Sequence, residues 1–231
     1  MTRAGDRVDP EEAPRLDAHQ GDGVVRATTR MEAFADAVFA IAFTIPVVEV
    51  VIPHADKFYG AKLLELWPTY LGYGLSALVV GIYWVNHHFV GAIYRTAGHR
   101  FLLATLLFLA AVGFIAVPTR AFAENILDQD ARIAGAHFYV CALSFASLCW
   151  WLKWRVGIAQ GEIDERLEAG YVRRLNGRYA VATLLMTAAI PLVFVRWEAG
   201  LALAGIVTLS SLRTPETPQY RNASPEIEGE G

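Results

Sequence analysis

From Thr29 to Leu212 the sequence is a succession of apolar runs separated by short polar connectors. The runs are about 15–23 residues long, near the length of helix that crosses the hydrocarbon core of a bilayer. The first begins where Thr29-Arg30-Met31-Glu32 supplies a capping box, a hydroxyl with a carboxylate three positions on. It runs to about Ile52, ahead of Pro53. The second opens at Trp67-Pro68, proline being tolerated in a first helical turn, and continues to about Val90. The third covers Phe101 to Pro118, the fourth about Ile133 to Trp154, the fifth about Arg178 to Val195, and a short sixth Ala199 to Leu212. The pattern predicts an all-α, polytopic membrane protein: six transmembrane helices over residues 29–212, flanked by polar, disordered arms at 1–28 and 213–231. Pro46 and Pro191 invite comparison as the interruptions of an inverted repeat, but their surroundings do not match.

Composition sharpens this picture. A chain that is 55% hydrophobic and 19% charged, with a mean hydropathy of +0.34, is too apolar for a soluble domain of its length, and its charges are clustered rather than spread. The net charge of −3 says little, because in a membrane protein the placement of positive charge decides orientation. With the N-terminus inside, fifteen basic residues fall on the cytoplasmic side, Lys153 and Arg155 counted in the connector after the fourth run. Only Lys57, Lys62, Arg120, Arg132 and Arg196 fall outside. That bias predicts both termini in the cytoplasm, which requires an even number of spans and so supports the sixth. The first 28 residues lack an apolar h-region, so no cleavable signal peptide is expected. The expected surroundings are the lipid bilayer of the cell membrane, with no nucleic-acid partner. Cys141 and Cys149 share one apolar run and read as small core residues rather than a metal site or a disulfide.

The first run carries a carboxylate, Asp36, in FADAVFAIAFT. On a helix turning about 100° per residue, Phe34, Ala37, Ile45, Val48 and Ile52 lie within roughly 40° of Ile41, and Thr44 about 60° to one side. Asp36 lies about 140° away, on another face. An ionisable group at membrane depth normally faces protein or water rather than lipid. The second run offers partners in Tyr83-Trp84-Val85-Asn86-His87-His88, where Trp84, His87 and His88 share a face at i, i+3 and i+4. A hydrogen-bonded network of Asp36 with Trp84, Asn86 and the histidines would satisfy all of these groups. The adjacent histidines do not make a two-histidine metal face, and no cofactor or metal is expected. Leu71-Gly72-Tyr73-Gly74 lies inside an apolar run, which suits close helix packing better than a carbonyl filter. The sequon at Asn222 precedes Pro225 in a tail expected to be cytoplasmic.

Arg30-x-x-x-Phe34-Ala35-Asp36, with LLELWP (Leu63 to Pro68) and YWVNHH (Tyr83 to His88), resembles the transmembrane protein 175 family of potassium channels, in its bacterial six-helix form. The resemblance is dense over residues 29–120 and continues as hydropathy to about 212. It implies a homotetramer in which the first helices of four subunits line a central pore, with no reentrant filter. It also implies a constriction of bulky aliphatic side chains five residues after the motif aspartate and a threonine three further on, which fall on Ile41 and Thr44. Ile45 and Val48 would add pore-lining layers. The implied function is a K⁺-permeable cation channel, weakly selective over Na⁺, and not an enzyme. Two departures stand out: Ala35 replaces the motif serine, and Pro46 stands where an aliphatic residue is expected. The rival reading is a proton-coupled transporter using Asp36 and His87 as a relay.

Overall fold

The computed structural model describes residues 28–48, 50–213 and 217–220. Most of the two arms, the Asn222 sequon and Glu49 lie outside the described residues. Within them the chain forms eight helices: α1 (Thr29–Val48), α2 (Tyr59–Glu65), α3 (Trp67–Gly91), α4 (His99–Phe114), α5 (Ala116–Glu124), α6 (Gln129–Ala159), α7 (Ala169–Val195) and α8 (Trp197–Ser210). The boundaries depart from the hydropathy runs in instructive ways. The first helix stops at Val48, four residues short of Ile52. The third run becomes α4 and α5, with Pro118 inside the first turn of α5 rather than at a helix end. Helix α6 continues past Trp154 to Ala159, which moves Lys153 and Arg155 out of the expected connector and into the helix. Helix α7 begins nine residues before Arg178, because its first turns are charged and carry no hydropathy signal.

Among the described residues, four helical units are long and apolar enough to cross a membrane: Thr29–Val48, His99–Glu124, Gln129–Ala159 and Ala169–Val195. Helices α2 and α3 make a fifth if joined across their 45° bend. Helix α8, with 14 residues, is about 21 Å long and does not reach bilayer thickness by itself. The chain is therefore an all-α protein with several helices of membrane-spanning length.

Helix α6 lies at the centre, packed against α4, α5, α7 and α8, while α1 lies across α3 and α4. The core between them is aromatic and β-branched: Phe39, Phe101, Phe108, Val112, Val140 and Trp154 are all but inaccessible. Helix α5 sits on α6 at Gly135, where a Cβ would come within 2.8 Å of the Phe122 backbone. Only a small residue allows that approach, the device by which apolar helices pack when lipid offers no hydrophobic drive. The outer surface is equally apolar, with Leu184 69% and Phe194 77% exposed, which suits hydrocarbon and not water.

At one end of the bundle two connectors lock together. The Arg95 guanidinium donates to Asp164 Oδ2 (Nε at 2.8 Å), and Arg166 donates to the same oxygen from Nη2 at 2.8 Å. Glu162 accepts from the Gly98 N–H at 2.8 Å and from the Thr96 hydroxyl, so it caps the start of α4 from the opposite connector.

Candidate functional site

Helix α1 has three distinct faces. Met31, Ala35, Phe39 and Ala42 are buried against α3 and α4 and anchor the helix. Ala35, at the position of the motif serine, is fully buried in that seam. Pro46 faces the packed side too, at a small cavity it shares with Thr69, Gly72 and Ser76, so its missing N–H and ring lie away from the bare stripe. The second face is that stripe: Phe34, Ile41 (55% exposed), Ile45 and Val48 (78% exposed) all lie open on the surface. Thr44 is exposed beside them, and its hydroxyl donates to Ala40 O at 2.8 Å. The proton is thereby committed to the helix, while the oxygen keeps a lone pair directed outward as an acceptor. Arg30 is exposed at the start of the helix.

The third face carries Asp36. Its Oδ1 accepts the indole N–H of Trp84 on α3 at 3.1 Å, and the His88 ring stacks on Trp84 with centroids 5.9 Å apart. The rest of the expected network is not formed. Asn86 donates instead to Ile82 O at 2.8 Å and to Ser211 O at 3.0 Å, which ties α3 to the end of α8. His87 is 3% exposed and faces the opposite way, into the core. The physical reason is angular: i+3 and i+4 positions flank the i position by about 60° and 40° on opposite sides, and the edge of the packed surface falls between them. Asp36 and His87 therefore do not form a relay pair.

The partner of His87 is a residue that sequence reasoning placed in a loop. Lys153 Nζ and His87 Nδ1 are hydrogen-bonded at 2.9 Å, and the lysine is 1% exposed. The amine sits among aromatic faces, 4.9 Å from the Trp150 ring centroid and 5.5 Å from those of Tyr94 and Phe108. Such faces stabilise a desolvated cation through their quadrupoles. With Lys153 as donor, His87 carries its own proton on Nε2, an atom that is buried and has no partner among the described residues. The only signal in the sequence was the context of Lys153: CWWLKWRVG sets it among three tryptophans.

No group of histidine, cysteine or carboxylate side chains among the described residues is arranged to hold a metal ion. Cys141 is exposed and Cys149 buried, and neither is paired.

A bundle of apolar helices with an apolar outer surface and one aliphatic helical face left bare defines a multi-pass membrane protein. Residues 30–118 match the family described as endosomal/lysosomal potassium channel TMEM175. Potassium channel B446_29190 of Streptomyces collinus is 34% identical over 187 residues, which span 78% of this chain and 89% of that one. Potassium channel Cha6605_3372 of Chamaesiphon minutus is 36% identical over 123 residues, 52% of this chain and 61% of that one. The fold is similar to the crystal structure of a lysosomal potassium-selective channel TMEM175 homologue from Chamaesiphon minutus, with a TM-score of 0.69 and 25% identity over 80% of this chain and 95% of that one. The chain belongs to the TMEM175 family, a family of ion channels rather than enzymes.

Proposed function

We propose that the protein is a K⁺-permeable cation channel of the cell membrane, weakly selective for K⁺ over Na⁺, whose pore is lined by α1 from four identical subunits. The observation that carries this reading is the bare stripe of α1. Ile41, Ile45 and Val48 are exposed on the helix that the other helices hold by its other side. A fourfold arrangement would bring these side chains together around an axis and remove them from lipid. A ring of four isoleucines is a dewetting constriction, and a ring of threonine oxygens replaces part of a cation's water shell. Because few oxygens are offered, selectivity is modest. Six spans with both termini in the cytoplasm, α8 completing the count, give the orientation.

The test is passive flux from liposomes holding a K⁺ gradient, wild type against Ile41→Asn. A polar ring wets more readily, so Ile41→Asn is expected to raise K⁺ flux severalfold and to lower discrimination against Na⁺. Flux that needs a proton gradient and ignores the change at Ile41 would return the protein to the transporter class.

A further inference from the structure

A cavity of about 600 Å³ lies between α3, α6, α7 and α8, away from the bare stripe of α1. Its size falls in the range of small-molecule ligand pockets, roughly 300–1,000 Å³. The walls change in chemistry along their length. Leu185, Met186 and Val207 make an apolar interior, while Arg178 and Arg213 stand at one end, next to the Asn86–Ser211 link. Neither guanidinium has a hydrogen-bond or ion-pair partner among the described residues, and no carboxylate lines the cavity.

The position of these arginines follows from the sequence. Arg178 is the last charge before the uncharged stretch 179–195 of α7, and Arg213 is the first after the uncharged stretch 199–212, which takes in all of α8 beyond its first two residues. The two helices run antiparallel, so the start of one apolar span and the end of the other meet at the same bilayer surface. Two unpaired guanidiniums at that level, above a cavity whose depth is hydrocarbon-like, match an anionic headgroup above an acyl chain. Guanidinium is the side chain suited to bidentate phosphate binding. Basic pockets between transmembrane helices are sites where such headgroups dock.

We propose that this cavity binds one anionic phospholipid, its phosphodiester held by Arg178 and Arg213 and one acyl chain along Leu185, Met186 and Val207. The site requires only a bilayer around the chain and does not depend on conduction. The lipid wedges α8 against α3, which makes it a structural ligand of the short eighth helix.

The experiment is native mass spectrometry of the full chain in detergent, titrated with palmitoyl-oleoyl phosphatidylglycerol or phosphatidylcholine. At about 1 kcal/mol per arginine, two guanidiniums give a preference for phosphatidylglycerol of roughly thirtyfold. Arg178→Gln with Arg213→Gln is expected to bring that preference to within about threefold of unity. Arg100→Gln with Arg173→Gln, which removes the same charge from exposed positions at that end, is expected to retain it. Arg213→Gln alone lies beyond the last helix, so it leaves the fold intact and is expected to lose about fivefold. Equal retention of both lipids by the wild type overturns the proposal, as does equal loss in the control pair. Competition by inorganic phosphate at equal concentration overturns it in favour of a soluble anion. Cross-linking of Ala182→Cys to a second copy overturns it in favour of a subunit contact.

Discussion

Lys153 is the residue whose surroundings depart furthest from what its type suggests. Its amine is buried beside the His87 imidazole, among aromatic faces whose quadrupoles favour a cation there. Desolvating a cation is expensive even so, and replacing a buried charge by an apolar side chain of similar volume is often neutral or stabilising. Lys153→Met is therefore expected to leave the melting temperature in detergent unchanged or raise it. His87→Leu removes the hydrogen-bond partner of the buried Lys153 amine and is expected to cost roughly 1–3 kcal/mol. The double variant should recover most of that loss, and a double-mutant cycle on thermal unfolding reads the coupling directly. The reverse order of single-variant effects would assign the stabilising role to the lysine itself. Sequence reasoning could not find this pair: a lysine at the end of an apolar run reads as a flanking charge, and only the three-dimensional path of α6 past α3 shows otherwise. Asp36–Trp84 was legible because both residues lie near the same end of their helices and need a partner; Asn86 and His87 belonged to the same motif but turned to α8 and α6.

At the scale of elements, the spans were legible where apolar length alone defines a helix, and the ends were not. Helices α6 and α7 run beyond their apolar stretches by turns that carry arginines, which hydropathy reads as loop. Those turns bring the two connectors close enough to lock through Asp164. Hydrogen bonds from the Arg166 side chain and backbone, and then from Arg95, hold the Asp164 carboxyl well below the usual carboxylate range. A carboxylate with a depressed folded pKa contributes stability that is complete above its unfolded value, near 3.8, and is lost as pH falls through the lower folded value. Asp164→Asn is expected to lower the melting temperature by an amount constant between about pH 8 and 5, with the difference narrowing only below about pH 4. Narrowing near pH 6 would show that a histidine, not this carboxylate, governs the lock.

At the scale of the whole molecule, the subunit is packed on one side of α1 and open on the other, and the assembly proposed for it makes opposite demands on two exposed faces. Val48 on α1 is 78% exposed and Leu184 on α7 is 69% exposed, so a single chain in lipid treats the two alike. A fourfold channel does not: it gathers Val48 near the axis and leaves Leu184 facing hydrocarbon. A disulfide requires Cα atoms within about 7 Å of one another, a distance that only the gathered face can offer. In a background lacking the native thiols, with Cys141→Ser and Cys149→Ala, mild oxidation in the membrane is expected to convert Val48→Cys largely to covalent dimers. Leu184→Cys should remain monomeric on a non-reducing gel. The converse pattern would mean that the aliphatic stripe of α1 faces lipid and that subunits meet through α7. The stripe itself was legible from a helical wheel, since it requires only the period of the helix; the number of subunits around it is a property of surfaces between copies, which is why it calls for cross-linking in the membrane.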